Sequence, residues 1–231
     1  GNGENGVDIF NAPNNLIGGT VAGARNVISG NGVNGVGIFN AGAIGNQVQG
    51  NFIGTDITGP LDLGNTEQGV DAEAALTTIG GTTPGARNVI AGNGFEGVLL
   101  SGNHSTVQGN YIGVGADGIT AVGNTLSGLA VFSESPALSS NNNGIGGTTA
   151  GTGNRIAFNG DRGVVVATLT GGIATGNQVL GNEIFGNASI GIDLGTTGVT
   201  DNDTGDADTG AMSTRPSGRI SSNGRISAKN M

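Results

Sequence analysis

Asp71 and Glu73 stand two residues apart in Gly69-Val70-Asp71-Ala72-Glu73. On an extended strand alternate side chains share a face, and the two backbones lie about 6.6–6.8 Å apart. An inverting glycosidase holds its two carboxyl groups roughly 6.5–9.5 Å apart, leaving room for the attacking water. One acid would protonate the leaving oxygen while the other activated that water. Asp8 occupies the position matching Asp71 two repeat units earlier, near ~10 Å on strand spacing, as a more distant partner. The structural alternative is a pair of solvated acids on a strand surface. The column that holds Glu73 also holds Phe10, Phe39 and Phe132. A line of outward rings is costly in water unless something covers it. A sugar can lay its apolar face on such rings, or a long loop can pack over them. Asp201, Asp203, Asp206 and Asp208 crowd into eight residues with Gly205 among them. Hard oxygen ligands around a tight turn suit Ca²⁺; a solvated acidic linker is the alternative. No cofactor is required by either reading.

Other chemistries fit poorly. The single histidine, His104, lies in the turn Gly102-Asn103-His104-Ser105, and no Gly-x-Ser-x-Gly elbow accompanies it. One histidine and no cysteine argue against zinc and thiolate chemistry. Arg25 and Arg87 occupy equivalent turns, which points to a repeated structural role. Arg162 stands beside Asp161 just ahead of the sixth unit.

The elements that would position these residues come from repetition. Ile17-Gly18-Gly19-Thr20 recurs as Ile79-Gly80-Gly81-Thr82 and Ile145-Gly146-Gly147-Thr148. A second motif is interleaved: Gln47-Val48-Gln49-Gly50-Asn51, Thr106-Val107-Gln108-Gly109-Asn110 and Gln178-Val179-Leu180-Gly181-Asn182. A finer period opens each unit with Gly and an apolar residue, at Gly6, Gly35, Gly69, Gly97, Gly128, Gly163 and Gly191. Each unit holds three short runs rich in Val and Ile, bounded by Gly and Asn. Such runs read as strands, and three strands per unit make a parallel β-helix. The expected fold is all-β: a solenoid of about six to seven coils over residues 1–210, followed by a non-repeat tail over 211–231. Alternation places Asp8, Gly37, Asp71, Leu99, Ala130, Val165 and Asp193 in one outward column. Phe10, Phe39, Glu73, Ser101, Phe132, Ala167 and Gly195 form the next. Arg155 sets the phase of the third strand, because its charge belongs in water. Asn51, Asn110 and Asn182 align at one corner, and Asn31, Asn93 and Asn159 at another, as hydrogen-bonded stacks.

Composition narrows the partners. The formal net charge is −9, and residues 1–210 carry four basic against 17 acidic side chains, a net of −13. That surface repels phosphate backbones, so nucleic acid is not an expected partner. No apolar run reaches the ~18–20 residues of a membrane span. Arg215, Arg219, Arg225 and Lys229 reverse the charge of the tail. The tail reads as a linker, tag or readthrough, with a basic cap as the alternative. The chain starts in mid-pattern and reads as a segment of something larger.

The phrases Asn-Val-Ile-Ser-Gly-Asn-Gly (26–32), Gly-Asn-Tyr-Ile-Gly (109–113) and Gly-Thr-Asp-Ile-Thr-Gly (54–59) resemble bacterial right-handed parallel β-helix repeat proteins of the pectate-lyase-like superfamily. The resemblance covers residues 1–210. It implies right-handed coiling, an extracellular or cell-surface setting and carbohydrate ligands. Two function classes follow. One is an extracellular module that binds polysaccharide or cell-surface glycan, or serves as a scaffold or adhesin. The other is a polysaccharide-degrading glycoside hydrolase or lyase on the outward face of the first strand. Open sheet edges at the ends of a solenoid would also allow self-association.

Overall fold

The computed structural model describes residues 1–21, 23–133, 139–168 and 171–195. The acidic run Asp201, Asp203, Asp206 and Asp208 and the basic tail lie outside the described residues, as does part of the 1–210 repeat region.

Each coil contributes one strand to each of three parallel sheets. The first coil holds β1 (Val7–Phe10), β2 (Leu16–Gly18) and β3 (Val27–Ile28). The second holds β4 (Val36–Phe39), β5 (Gln47–Gln49) and β6 (Phe52–Ile53). The third holds β7 (Val70–Ala72), β8 (Thr78–Gly80) and β9 (Val89–Ile90), with a 3₁₀ turn at Pro84–Ala86. The fourth holds β10 (Val98–Leu100), β11 (Thr106–Gln108) and β12 (Tyr111–Ile112). The fifth holds β13 (Leu129–Ser133), β14 (Gly144–Gly146) and β15 (Arg155–Ala157). The sixth holds β16 (Val164–Thr168), β17 (Gln178–Leu180) and β18 (Glu183–Phe185), and β19 (Ile192–Leu194) opens a seventh. The first sheet runs β1-β4-β7-β10-β13-β16-β19, and the second and third have six strands each in coil order. The described residues therefore form a parallel β-solenoid of six complete coils.

Register follows the period-2 pattern. Val7 pairs with Val36 and Ile9 with Ile38, and the equivalence continues through Val70, Val98, Leu129, Val164 and Ile192. One continuous core results, filled by Ile38, Val48, Ile53, Ile79, Leu100 and their equivalents from all three sheets. A one-residue slip would turn every one of these side chains into water, so burial enforces the register.

The corners carry two asparagine ladders. Asn2, Asn31, Asn65, Asn93, Asn124, Asn159 and Asn187 form the first, each Nδ2 donating to the next Oδ1 over 2.7–3.0 Å. Asn26, Asn51, Asn88, Asn110, Asn154 and Asn182 form the second, over 2.8–3.3 Å. The asparagines aligned in the sequence are alternate rungs of these ladders. The backbone N–H of each rung donates to the same Oδ1. The third corner is mixed: Thr77 N–H donates to Ser105 Oγ, and Ser105 N–H to Asn143 Oδ1.

The Ile-Gly-Gly-Thr motif belongs to the second ladder. Gly18, Gly80 and Gly146 have φ of 86°, 84° and 80°. A Cβ on Gly80 would sit 2.1 Å from the Gln108 carbonyl and 2.4 Å from Asn110 Oδ1. Glycine is required there twice over, by a left-handed backbone and by the space the next coil's amide occupies.

Replacing Asn110 by alanine should cost about 3 kcal/mol or more, because Asn88 loses its acceptor and the Ile79 carbonyl its donor inside the stack. Asn26→Ala, at an exposed lower end with only an upward bond, should cost about 1 kcal/mol. Urea denaturation of the two variants beside wild type measures the difference.

Candidate functional site

The outward face of the first sheet brings the sequence-derived residues into the expected columns. Asp8 pairs with Gly37, Gly37 with Asp71, and Asp71 with Leu99. Phe10 pairs with Phe39, and the Glu73 N–H donates to the Ile38 carbonyl, setting Glu73 one coil above Phe39. Phe132 pairs with Ala167 farther up. Asp8, Phe10, Phe39, Asp71 and Glu73 thus share one end of the face, over coils one to three. Phe132 stands apart from them on coil five.

Their environments differ. Phe10 is 64% exposed. Phe39 is half-buried, and its ring lies back over Gly37, where a Cβ would meet Cε2 at 2.3 Å. Glycine on this strand leaves a bare backbone patch that the ring covers. Asp71 is half-buried and Glu73 exposed. Phe132 packs with Leu99 against Ala130, Val165 and Ala167. Those last three point outward yet are buried, so the upper part of this face is apolar and covered.

Asp193 heads the Asp8–Asp71 column but is buried, with a relative exposure of 2%. Its Oδ2 accepts from Arg162 Nε at 2.6 Å, and Arg162 Nη1 donates to Asp161 at 2.6 Å. Burial works against the Arg162 charge, but the Asp193 hydrogen bond and the fields of Asp161 and Asp193 outweigh it, so its pKa is raised. Arg162 is committed to this triad, which holds the last described strand to the coil below.

A second feature escaped the sequence reading: the flank of the third sheet. The Arg25 guanidinium lies 4.0 Å over the Phe52 ring, and Arg87 lies 4.1 Å over Tyr111. Arg25 Nε donates to the Gly50 carbonyl and Arg87 Nε to the Gly109 carbonyl. Each arginine therefore clasps the coil above its own, which gives physical content to their repeated position. The clue was present in the sequence, as an aromatic residue in matching places one coil after each arginine.

Two equal-length loops, 54–64 and 113–123, stand over this sheet. Each closes on itself by a short antiparallel bridge, Thr55 to Asp62 and Val114 to Ala121. Val122 and Ala116 join Phe52, Val89, Ala91 and Tyr111 in a small apolar cluster. Asp56 accepts from Thr58 Oγ1 and from the N–H groups of Thr58, Gly59 and Leu61. Asp117 accepts from Thr120 Oγ1 and from the N–H groups of Ile119 and Thr120. The threonine hydroxyl bond, chiefly, and the backbone donors hold both carboxyl groups below their ordinary pKa. The two aspartates do not align, yet each organises its own loop tip.

Among the described residues no three His, Cys, Asp or Glu side chains gather as a metal site. Among the same residues no helix is long and apolar enough to cross a membrane. No protein-family model, curated protein or solved structure matches the chain.

Two outcomes are expected. Arg162→Ala should destabilise the chain by about 3 kcal/mol or more, because it leaves a buried carboxylate unpaired, and adding Asp193→Val should restore most of the loss. Thermal and urea unfolding of both variants reads this. The loop tips should respond to acid. A lowered folded pKa means the carboxylate's contribution is full above the ordinary aspartate value of about 3.9 and fades as pH falls through the folded value. Hydrogen exchange at Gly59, Leu61, Ile119 and Thr120 should accelerate in that acid window relative to core-strand amides.

Proposed function

We propose that this solenoid is an extracellular binding module whose ligand is a polysaccharide or cell-surface glycan, engaged on the outer face of the first sheet over coils one to three. The coiling would be right-handed and the kinship that of the bacterial pectate-lyase-like repeat proteins. The observation that carries the reading is the Phe10 ring, exposed and in register with Phe39 one coil away, on a sheet too firmly cross-braced to collapse over it. Phe10 and Phe39, on paired strands about 4.8 Å apart along the axis, would give a sugar chain a stacking platform. Asp8 and Glu73 flank it with acceptors for sugar hydroxyls.

A second reading rests on one specific feature. Of the coils on this face, the third alone places acids in both outward columns, Asp71 and Glu73. A glycoside hydrolase with these two as acid and base would use that break in the repeat, with Asp8 two coils below. Calcium at Asp201, Asp203, Asp206 and Asp208 is a separate proposal, tested by isothermal titration with CaCl₂ against a variant with the four aspartates changed to asparagine.

A glycan panel separates the two readings. For a binding module, Phe10→Ala should weaken retention of the bound glycan at least about tenfold, in line with the ~1.5–3 kcal/mol carried by a buried phenylalanine. No reducing ends or unsaturated products should appear, with or without calcium. For an enzyme, product should be released and should vanish in Asp71→Asn/Glu73→Gln, while glycan binding persists. Retention unchanged by Phe10→Ala would sink the stacking platform.

A further inference from the structure

The arginines of the third-sheet flank follow a two-coil rule that fails at one place. The position preceding each rung of the second asparagine ladder reads Arg25, Gly50, Arg87, Gly109, Gly153, Gly181 from coil one to coil six. In coils one and three an arginine fills this position and covers the glycine of the coil above. Coil five should carry the third arginine. It carries Gly153, and the Gly181 carbonyl approaches so closely that a Cβ there would lie 2.2 Å from it. The arginine of this coil stands two residues along, at Arg155, whose Nε and Nη2 meet Glu183 Oε2 at 2.6 Å. A groove of about 600 Å³ opens where the missing side chain would lie.

The groove is built for a charged polar ligand. Its floor is bare backbone at Gly153 and Gly181, and one wall is the turn Thr148-Thr149-Ala150. Arg87 forms the other wall, half-buried and held in place at both ends of its function. Its Nε is bound to the Gly109 carbonyl and its flat face rests on Tyr111. It has no carboxylate partner among the described residues, so its terminal nitrogens stay available to a ligand. Arg155 is spent on Glu183 and on the Gly118 carbonyl. The groove thus has a net charge of +1 on a chain whose formal net charge is −9. A guanidinium with a fixed orientation matches the paired oxygens of an oxyanion. The rest of its lining brings the Thr148 and Thr149 hydroxyls and glycine peptide groups together beside Ala150, and the Tyr111 face is already taken by Arg87. Such a lining favours a hydroxylated ligand over an apolar or base-stacking one.

We propose that this groove binds one oxyanion-bearing sugar residue, a carboxylate or sulfate ester seated on Arg87 with its hydroxyls on the threonine and glycine walls. The site is separate from the phenylalanine platform and shares with that reading only the saccharide class of ligand.

The chain supplies its own reporter, because Tyr111 is the single tyrosine and there is no tryptophan. Tyrosine emission would be titrated with trigalacturonate, with its uncharged methyl ester, and with a sulfated heparin disaccharide. A saturable change is expected with one or both anionic probes and none with the ester. The affinity should fall at least about tenfold in Arg87→Gln and weaken with added salt. Ala150→Glu, at an exposed wall residue, should weaken it too while leaving the stacked pair intact, so a folding defect in Arg87→Gln would not decide the matter. A response to either anion alone names the oxyanion. No saturable response, equal response to the ester, or unchanged affinity in both variants overturns the proposal. Phe10→Ala run in the same titration keeps the two sites apart: an undiminished response assigns the binding to the groove, and a lost response moves it to the first sheet and overturns the groove. Failure of the phenylalanine platform with neutral glycans would leave the groove titration unaffected.

Discussion

The joint between neighbouring coils at the second corner governs the rest of this molecule. Each asparagine there above Asn26 accepts two hydrogen bonds at Oδ1, from the backbone and the side chain of the rung below, and returns its Nδ2 to a core-strand carbonyl of the preceding coil. Asn51 reaches Ile17, Asn88 reaches Val48, Asn110 reaches Ile79 and Asn154 reaches Val107. A buried corner with unanswered amides would be untenable. The ladder answers them and fixes the coil-to-coil register in the same step. The glycine after each of Ile17, Ile79 and Ile145 exists to admit that amide, so two motifs distant in sequence are the halves of one lock.

A lattice held this way at its corners leaves the outward side chains free of structural duty, and variation collects there. The two-coil period of the arginine clasps shows duty and freedom side by side. Where the clasp is kept, Arg25 and Arg87 tie adjacent coils through a carbonyl and a ring. A stacked cation contributes about 0.5–1 kcal/mol at an exposed site and more when desolvated, a modest addition to what the ladder already supplies. Losing the third clasp is therefore tolerable for stability, and coil five can give up an arginine and open a groove. Arg155 and Glu183 then replace a cation–ring contact with an ion pair across the same coil boundary.

Sequence periodicity revealed the register, the inward columns and the corners, because strand side chains alternate strictly and glycine marks each turn. Arg155 and the Val7-to-Ile192 column suffice to phase two of the three sheets. What periodicity could not reveal is coverage. Phe10, Phe39 and Phe132 share one column, yet one is open, one lies over Gly37 and one joins a buried cluster, because each outcome depends on residues from other coils and loops. Asp193 shares a column with Asp8, but the neighbouring Arg162 makes a buried carboxylate tenable there. Asp56 and Asp117 differ by two places in their loops, so alignment hides that both use carboxyl oxygens to gather loop-tip N–H groups.

Rigidity links this architecture to recognition. In a solenoid each coil touches only its neighbours, so local strain does not spread across a globular core. The ladders and sheets nevertheless hold successive coils at nearly constant spacing and orientation. A ligand laid along the axis meets side chains whose positions are already set, and little ordering of the protein opposes binding. On the proposed reading Phe10 and Phe39 would gain from this on one face, and Arg87 on another, because its guanidinium is pinned by the Gly109 carbonyl and the Tyr111 ring. Flexible side chains on a mobile loop would need closer contacts to reach the same affinity. The same constancy weighs against chemistry that needs closure of the site around a reacting bond, since a cross-braced sheet has no hinge within coils one to three. Asp71 and Glu73 would have to act in an open cleft, with substrate itself excluding water, which is a heavier demand than the phenylalanine platform makes.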